Sequence, residues 1–108
     1  MASTVDRIIE CGVVAVLRAD NPAVLMDVSK ALRDGGVVAI EVTMTVPGAL
    51  KVIEEASAKM TDTIIGVGSV LDPETARAAI LSGAEYVVSP ILNVSVIEMT
   101  KRYGKAIM

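Results

Sequence analysis

The sequence predicts an α/β protein built around a parallel sheet, and three observations support this fold class. Short apolar runs alternate along the chain with segments of helical spacing, as they do in successive βα units. The runs are continuously apolar, which is typical of strands buried on both faces of a parallel sheet. Glycines precede several of the runs, at points where a helix C-cap favours a left-handed residue.

The apolar runs are predicted to be five strands. Each run has three to five residues, a length that suits strands better than helices. The predicted strands are Val13–Leu17, Val37–Ile40, Ile64–Val67, Tyr86–Val88 and Ala106–Met108.

Helices are predicted between these strands, each with its own start signal. Asn21-Pro22 combines a cap with proline at the first helical position, so a helix is expected from Pro22 to Arg33. The next helix is expected from Pro47 to Lys59, Asp72-Pro73 begins a third, and Asn93 caps a fourth. An extra helix is expected before Val13. The predicted buried face of the Pro22–Arg33 helix comprises Val24, Leu25, Val28, Ala31 and Leu32.

Four βα units and a fifth strand fit two architectures with right-handed crossovers. The length of 108 residues favours an open, doubly wound sheet of flavodoxin-like size, because complete barrels typically need about 250 residues. Polar residues at the carboxyl ends of the strands favour the second architecture, part of a TIM (βα)8 barrel, because ligands bind at that edge. In either case residues 1–108 are expected to form a single domain.

Composition excludes several classes of function. A formal net charge of −3 and only two aromatic residues argue against nucleic acid as a partner. The absence of histidine and the single Cys11 exclude the common zinc sites and imidazole-based triads, so no metal is expected. No apolar run is long enough to span a bilayer, so no membrane partner is expected. A lone cysteine and no recognisable leader predict a cytoplasmic protein.

Polar side chains at the strand ends form the candidate site. The residues are Arg18 after the first strand, Glu41, Thr43 and Thr45 after the second, Ser69 after the third, and Ser89-Pro90 after the fourth. A two-residue period places Glu41, Thr43 and Thr45 on one side of their strand, and likewise groups Ile65 and Val67 with Ser69. A carboxylate, a guanidinium and hydroxyls are therefore expected to converge.

Each of these residues also has a purely structural explanation. Glu41 and Arg18 can form an ordinary ion pair, since a carboxylate at a strand end is more often solvated or paired than catalytic. The stretch from Gly66 to Ser69 is similar to a phosphate-binding loop but lacks the lysine of a P-loop, and its glycines can instead serve close backbone packing.

The order of these motifs closely resembles the 2-keto-3-deoxy-6-phosphogluconate (KDPG) aldolase family over essentially the whole chain. The motifs are Val14-Ala15-Val16-Leu17-Arg18, Gly35-Gly36-Val37-Val38-Ala39-Ile40-Glu41-Val42-Thr43, Ile65-Gly66-Val67-Gly68-Ser69-Val70 and Ser82-Gly83-Ala84-Glu85-Tyr86-Val87-Val88-Ser89-Pro90. The resemblance implies a (βα)8 barrel, usually a trimer, that needs no metal or other cofactor. It implies a lyase that cleaves a 2-keto-3-deoxy-6-phospho sugar acid to pyruvate and glyceraldehyde 3-phosphate through a lysine Schiff base. The gluconate and galactonate stereoisomers both stay open as substrates.

The resemblance also assigns roles to residues of this chain. It implies that Glu41 is the proton-shuttling catalytic residue, that Ser69 replaces a threonine after the Gly-x-Gly turn, and that Pro90 lies beside the pyruvate site. Thr45 stands where some members have an arginine for the substrate carboxylate, and Arg18 is expected to supply that contact instead. Ile91 replaces the glycine that is common after Ser-Pro in the family.

The Schiff-base lysine is expected on strand six, beyond Met108. Four lysines fall in predicted helices, and Lys105 enters the fifth strand at its amino end, away from the site. One hypothesis is therefore an aldolase whose sequence continues past Met108. An alternative is a non-catalytic half barrel that folds by homo-oligomerisation, as a dimer or trimer, because an open half barrel leaves two unpaired edges. An unrelated flavodoxin-like binding module is a third hypothesis.

Overall fold

A computed structural model of the chain describes residues 2–108. Helices and strands alternate along it after a first helix. The helices are α1 (Thr4–Cys11), α2 (Pro22–Asp34), α3 (Ala49–Lys59), α4 (Pro73–Ser82) and α5 (Val94–Arg102). The strands are β1 (Val14–Leu17), β2 (Ala39–Thr43), β3 (Ile64–Gly68), β4 (Tyr86–Val87) and β5 (Ala106–Ile107).

The strands form one parallel sheet in the order β1-β2-β3-β4-β5. A sequential order without reversal is the order of a barrel wall, whereas a doubly wound sheet reverses its order at a switch point. The predicted α/β fold with consecutive parallel βα units is confirmed. The open doubly wound alternative, which chain length favoured, is wrong.

The two faces of the sheet are covered differently. The outer face packs with the buried sides of α2 to α5 in the main core. Its residues are Ala15, Leu17, Ile40, Val42, Ile65, Val67, Val87 and Ile107. The inner face carries a smaller cluster of Ala39, Ile64 and Tyr86, against which Ile8 and Cys11 of α1 pack. Helix α1 therefore covers the amino-terminal end of the inner face and leaves the carboxyl edge open.

Local hydrogen bonds begin the helices where the sequence predicts. The side chain of Asn21 accepts a hydrogen bond from the backbone N–H of Ala23, that of Asp72 from Thr75, and that of Asn93 from Ser95. Helix α3 begins later than expected, at Ala49, because Pro47 and Gly48 lie in the preceding turn.

The buried side of α2 differs from the predicted one. Leu25, Met26 and Ser29 are buried, whereas Val24 and Val28 are exposed. Apolar residues occupy two adjacent stripes of this helix, so apolar spacing alone cannot choose between them. Ser29 can be buried because its hydroxyl donates a 2.7 Å hydrogen bond to the Leu25 carbonyl.

Strand β2 lies further along the chain than its apolar run. The backbone N–H of Val37 donates to the Leu32 carbonyl at the end of α2, and the strand begins only at Ala39. Glu41 pairs with Gly66, and Thr43 with Gly68. Glu41 is therefore the middle residue of a buried strand and does not follow the strand end.

No helix within residues 2–108 is long and apolar enough to cross a membrane.

Candidate functional site

Glu41 is the buried acid of the inner face. Its residue is 7% exposed, and the carboxyl group lies against the α-carbon of Gly68 on β3. A side chain at Gly68 would overlap this carboxyl group and would force the flexible end of the Glu41 side chain to move. The third position of β2 and a glycine on β3 thus hold a carboxyl group at the open end of the inner face.

Burial raises the pKa of Glu41 above its ordinary value of 4.5, and the positive charge of Arg18 partly opposes that rise. Among residues 2–108 no cation lies within salt-bridge distance of Glu41. The ion pair with Arg18, which was the structural explanation for both residues, is therefore not formed. A carboxyl group with a raised pKa and no bound cation can take up and release protons closer to neutral pH.

Arg18 and Thr45 lie together at the carboxyl edge of the sheet. Both line an open cleft of about 370 Å³ formed by the chain after β1 and the turn after β2. The two side chains are exposed, and the Thr45 hydroxyl shares a 3.0 Å hydrogen bond with the hydroxyl of buried Thr43. Thr43 and Thr45 therefore point to the same side, and the cleft presents the guanidinium of Arg18, the hydroxyl of Thr45 and the carboxylate of Asp20.

Ser69 follows Gly68 at the carboxyl end of β3. Its φ of 59° is left-handed, which is uncommon for a residue other than glycine. Ile65 and Val67 pack with the helices on the outer face, so these two residues do not face the side on which Glu41 lies. The residues of β3 on the Glu41 side are Gly66 and Gly68, and the left-handed backbone at Ser69 interrupts the two-residue alternation.

Pro90 is an exposed residue in the turn after β4. Its neighbours Ser89 and Ile91 line a separate cavity of about 160 Å³ with residues of α5 and β5. Pro90 lies at the same edge of the sheet as the other predicted site residues, because all five strands are parallel. It does not line the cleft of Arg18 and Thr45.

Tyr86 belongs to this face but was not among the predicted site residues. It is fully buried, and its ring lies over the α-carbon of Gly66, where any side chain would overlap it. The glycines of β3 thus make room for Tyr86 and Glu41, which favours close packing over a phosphate-binding loop. One signal in the sequence pointed to this residue, since Tyr86 is one of only two aromatic residues and lies in a strand.

None of the five lysines belongs to a strand of the sheet. Lys30 belongs to α2, Lys51 and Lys59 to α3, and Lys101 to α5. Lys105 immediately precedes β5 and lines a cavity with Ser3 and Thr4 at the opposite end of the sheet. The predicted positions of all five lysines are confirmed.

Comparison with known proteins identifies a family. The family described as "Aldolase: KDPG and KHG aldolase" matches residues 5–108. The 2-dehydro-3-deoxy-phosphogluconate aldolase of Pseudomonas aeruginosa is 36% identical over 81 residues, which are 75% of this chain and 37% of the relative. The enzyme of the same name from Treponema pallidum is 30% identical over 96 residues, which are 89% of this chain and 46% of the relative.

A solved structure shows the same relationship. The crystal structure of the 2-keto-3-deoxy-6-phosphogluconate aldolase of Zymomonas mobilis with 3-phosphoglycerate has a TM-score of 0.80 at 27% identity. The match covers 88% of this chain and 45% of that one. The chain thus spans less than half the length of each of these three relatives.

Proposed function

The chain belongs to the KDPG and KHG aldolase family, and from this premise we propose that its inner-face site acts in aldol cleavage. The proposed reaction splits a 2-keto-3-deoxy-6-phospho sugar acid into pyruvate and glyceraldehyde 3-phosphate. The observation that carries the proposal is the Glu41 carboxyl group, buried against Gly68 on the inner face, with a pKa that burial raises and the positive charge of Arg18 partly lowers.

Each residue receives a role that its position supports. Glu41 transfers protons to and from the substrate, because a carboxyl group whose pKa is raised by burial exchanges protons more readily near neutral pH. Arg18 binds the substrate carboxylate through charge-assisted hydrogen bonds, and Thr45 adds a hydroxyl in the same cleft. Ser69 contributes a hydroxyl at the end of β3, and Pro90 forms the rim beside the pyruvate. No nucleic acid, membrane or metal is part of this proposal.

In this proposal, the electron sink for carbon–carbon cleavage is not supplied by a residue of this chain. An iminium on a lysine supplies such a sink without a metal, but no lysine of this chain belongs to a strand of the sheet. We therefore assign the Schiff-base lysine to the part of the relatives' length that residues 1–108 do not span. A cytoplasmic location fits the single, unpaired Cys11.

A fusion protein tests this proposal. Residues 1–108 are joined to the part of the Zymomonas mobilis aldolase that lies beyond the matched region. With pyruvate and borohydride, the fusion should trap pyruvate on a lysine of the added part, whereas the 108-residue chain should trap none on its five lysines. Stoichiometric labelling of any of those five lysines would contradict the assignment.

The role of Glu41 is tested in the same fusion. Glu41→Gln should lower turnover about 100-fold or more, because it removes the proton-transferring group while keeping its size. Glu54→Gln is the matched control, since Glu54 is an exposed glutamate of α3 far from the inner face. Unchanged turnover in Glu41→Gln would show that the acid is structural.

A second candidate function rests on the edges of the sheet. Within residues 2–108, β1 and β5 each pair on one side only. Apolar side chains are exposed at both edges, including Val13 and Val16 near β1 and Ile91, Leu92 and Met108 near β5. Unpaired edges of this kind favour pairing with another chain. The alternative is thus a non-catalytic half barrel that assembles as a homodimer or homotrimer.

Light scattering separates this alternative from an independent fold. A half barrel that folds by association should be dimeric or trimeric at micromolar concentration and should dissociate and unfold together on dilution. A monomer that unfolds cooperatively at the same concentration would exclude this alternative.

A further inference from the structure

The Tyr86 hydroxyl is a buried polar group without a hydrogen-bond partner among residues 2–108. The residue is completely buried in the inner-face cluster, between Ala39, Ile64 and α1. Nearly all buried polar groups in folded proteins are hydrogen-bonded, so this hydroxyl needs a partner beyond those that the described residues offer in this arrangement. A phenylalanine would fill the same space without leaving a hydroxyl unsatisfied.

The strand register brings Tyr86 and Glu41 into one row across the inner face. Gly66 pairs with Glu41 on one side and with Tyr86 on the other. Because the phenol end of the Tyr86 ring lies over the α-carbon of Gly66, its hydroxyl extends across β3 toward β2. The Glu41 carboxyl group lies one residue pair further along, against Gly68.

The electrostatics of the two groups are linked. Burial raises the pKa of Tyr86 above the ordinary value of 10.0, and the negative charge of Glu41 adds to that rise. Other titratable groups also act on the pair, namely Arg18 after β1, Cys11 of α1 and Glu85 before β4. The phenol therefore stays neutral near pH 7 and keeps its proton available for donation.

We propose that Tyr86 is a positioning residue for Glu41, and that its hydroxyl hydrogen-bonds the Glu41 carboxyl group directly or through one water as Glu41 changes its protonation state. This inference rests on the proton-transfer role proposed for Glu41. A hydroxyl can bond both states, but its donation to the charged carboxylate is stronger than its acceptance from the carboxylic acid. Rotation about the side-chain torsions of Glu41 brings the carboxyl group from Gly68 toward the row of Gly66.

Tyr86→Phe with a carboxyl-carbon NMR titration of Glu41 tests the proposal in the 108-residue chain. Loss of a donor that favours the ionised carboxylate should raise the pKa of Glu41 by about 0.5–1. Tyr103→Phe is the matched control, because the Tyr103 hydroxyl accepts a hydrogen bond from Arg77 on the outside of the molecule. An unchanged or lowered pKa of Glu41 in a folded Tyr86→Phe variant would overturn the proposal.

A second measurement needs no change at Tyr86. In the unmodified chain, the ring-carbon signal next to the Tyr86 hydroxyl should shift as Glu41 titrates, and Glu41→Gln should remove that inflection. The absence of an inflection in the unmodified chain would also overturn the proposal. Neither measurement requires substrate or turnover, so a failed aldolase assay with an intact titration would disprove only the proposed function.

Discussion

The outer and inner faces of the sheet differ in the side chains that they carry. On the outer face, side chains such as Ile40 and Val67 are completely buried under the helices that connect the strands. On the inner face, the neighbouring positions hold Glu41, two glycines and a tyrosine with an unsatisfied hydroxyl. Residues one step apart along the same strand therefore pack into the main core on one side and form the candidate site on the other.

The difference reflects which elements cover each face. The βα connections place α2 to α5 on the outer face, so every outer side chain meets apolar partners from the same chain. Within residues 2–108, α1 is the helix that packs on the inner face, and it does so at the amino-terminal end of that face. Polar groups can persist on the inner face because its carboxyl edge is open, which is where ligands bind in parallel α/β proteins.

The largest expected effect separates the two faces by stability. Ile40→Ala on the outer face should lower the free energy of unfolding by about 2–5 kcal/mol, because it leaves a cavity in the main core. Val16→Ala on the inner face of β1 should cost less than about 1 kcal/mol, since Val16 is 53% exposed. Denaturant unfolding followed by circular dichroism measures both, and equal losses would contradict the comparison.

The glycines of β3 give the next largest effect. Gly66→Ala should lower the free energy of unfolding by about 1–3 kcal/mol, because its methyl group would overlap the buried ring of Tyr86. Gly35→Ala is the control, since its φ is −83° and an added methyl group there meets only ordinary contacts. A Gly66→Ala variant as stable as Gly35→Ala would mean that the Tyr86 ring can move aside.

The sequence predicts what local interactions decide. The caps at Asn21, Asp72 and Asn93 act within three residues, so their patterns identified three helix starts correctly. The strands of the sheet were recognisable because burial on both faces requires continuous apolar runs. The start of β2 was not, because the apolar Val37 and Val38 continue the run ahead of the strand, which begins at Ala39.

The candidate site was predictable in its residue types but not in its arrangement. Alternation correctly linked Thr43 with Thr45, since both lie on one strand and its turn. The row of Glu41, Gly66 and Tyr86 depends on register between three strands, which tertiary packing sets. The inner face of β3 carries no polarity signal in the sequence, because its residues there are glycines.

A smaller effect is the loss of stability that the buried Glu41 carboxyl group causes as pH rises. Burial raises the folded-state pKa of Glu41, so the folded chain binds a proton more readily than the unfolded chain. Glu41 should therefore reduce stability as pH rises from its ordinary pKa of 4.5 through the raised folded value. Glu41→Gln removes this loss. The free energy of unfolding is measured for both proteins at pH 4 and pH 8. Relative to the unmodified chain, the variant should be more stable at pH 8 than at pH 4. A difference in stability that is the same at both pH values would contradict the assignment.

The smallest expected effect concerns the attachment of α1 to the inner face. The Arg7 guanidinium of α1 forms a 3.1 Å salt bridge with Glu85, which precedes β4, and both side chains are about one-third exposed. Solvent screens such a pair, so Arg7→Gln should cost only about 0.2–1 kcal/mol. The Lys59–Glu55 pair within α3 is the matched control, because it is also exposed but joins residues of one helix.

A double-mutant cycle of Arg7 and Glu85 isolates the interaction between α1 and the sheet. Its coupling energy should fall when salt is raised, since surface ion pairs are screened at higher ionic strength. Hydrogen exchange should show the same effect locally. When the salt bridge is removed, the amides of α1 should exchange faster than those of the sheet strands. A coupling energy well above about 1 kcal/mol would exceed what an exposed ion pair usually contributes. It would mean that the attachment of α1 to the inner face depends on this salt bridge more than on the packing of Ile8 and Cys11.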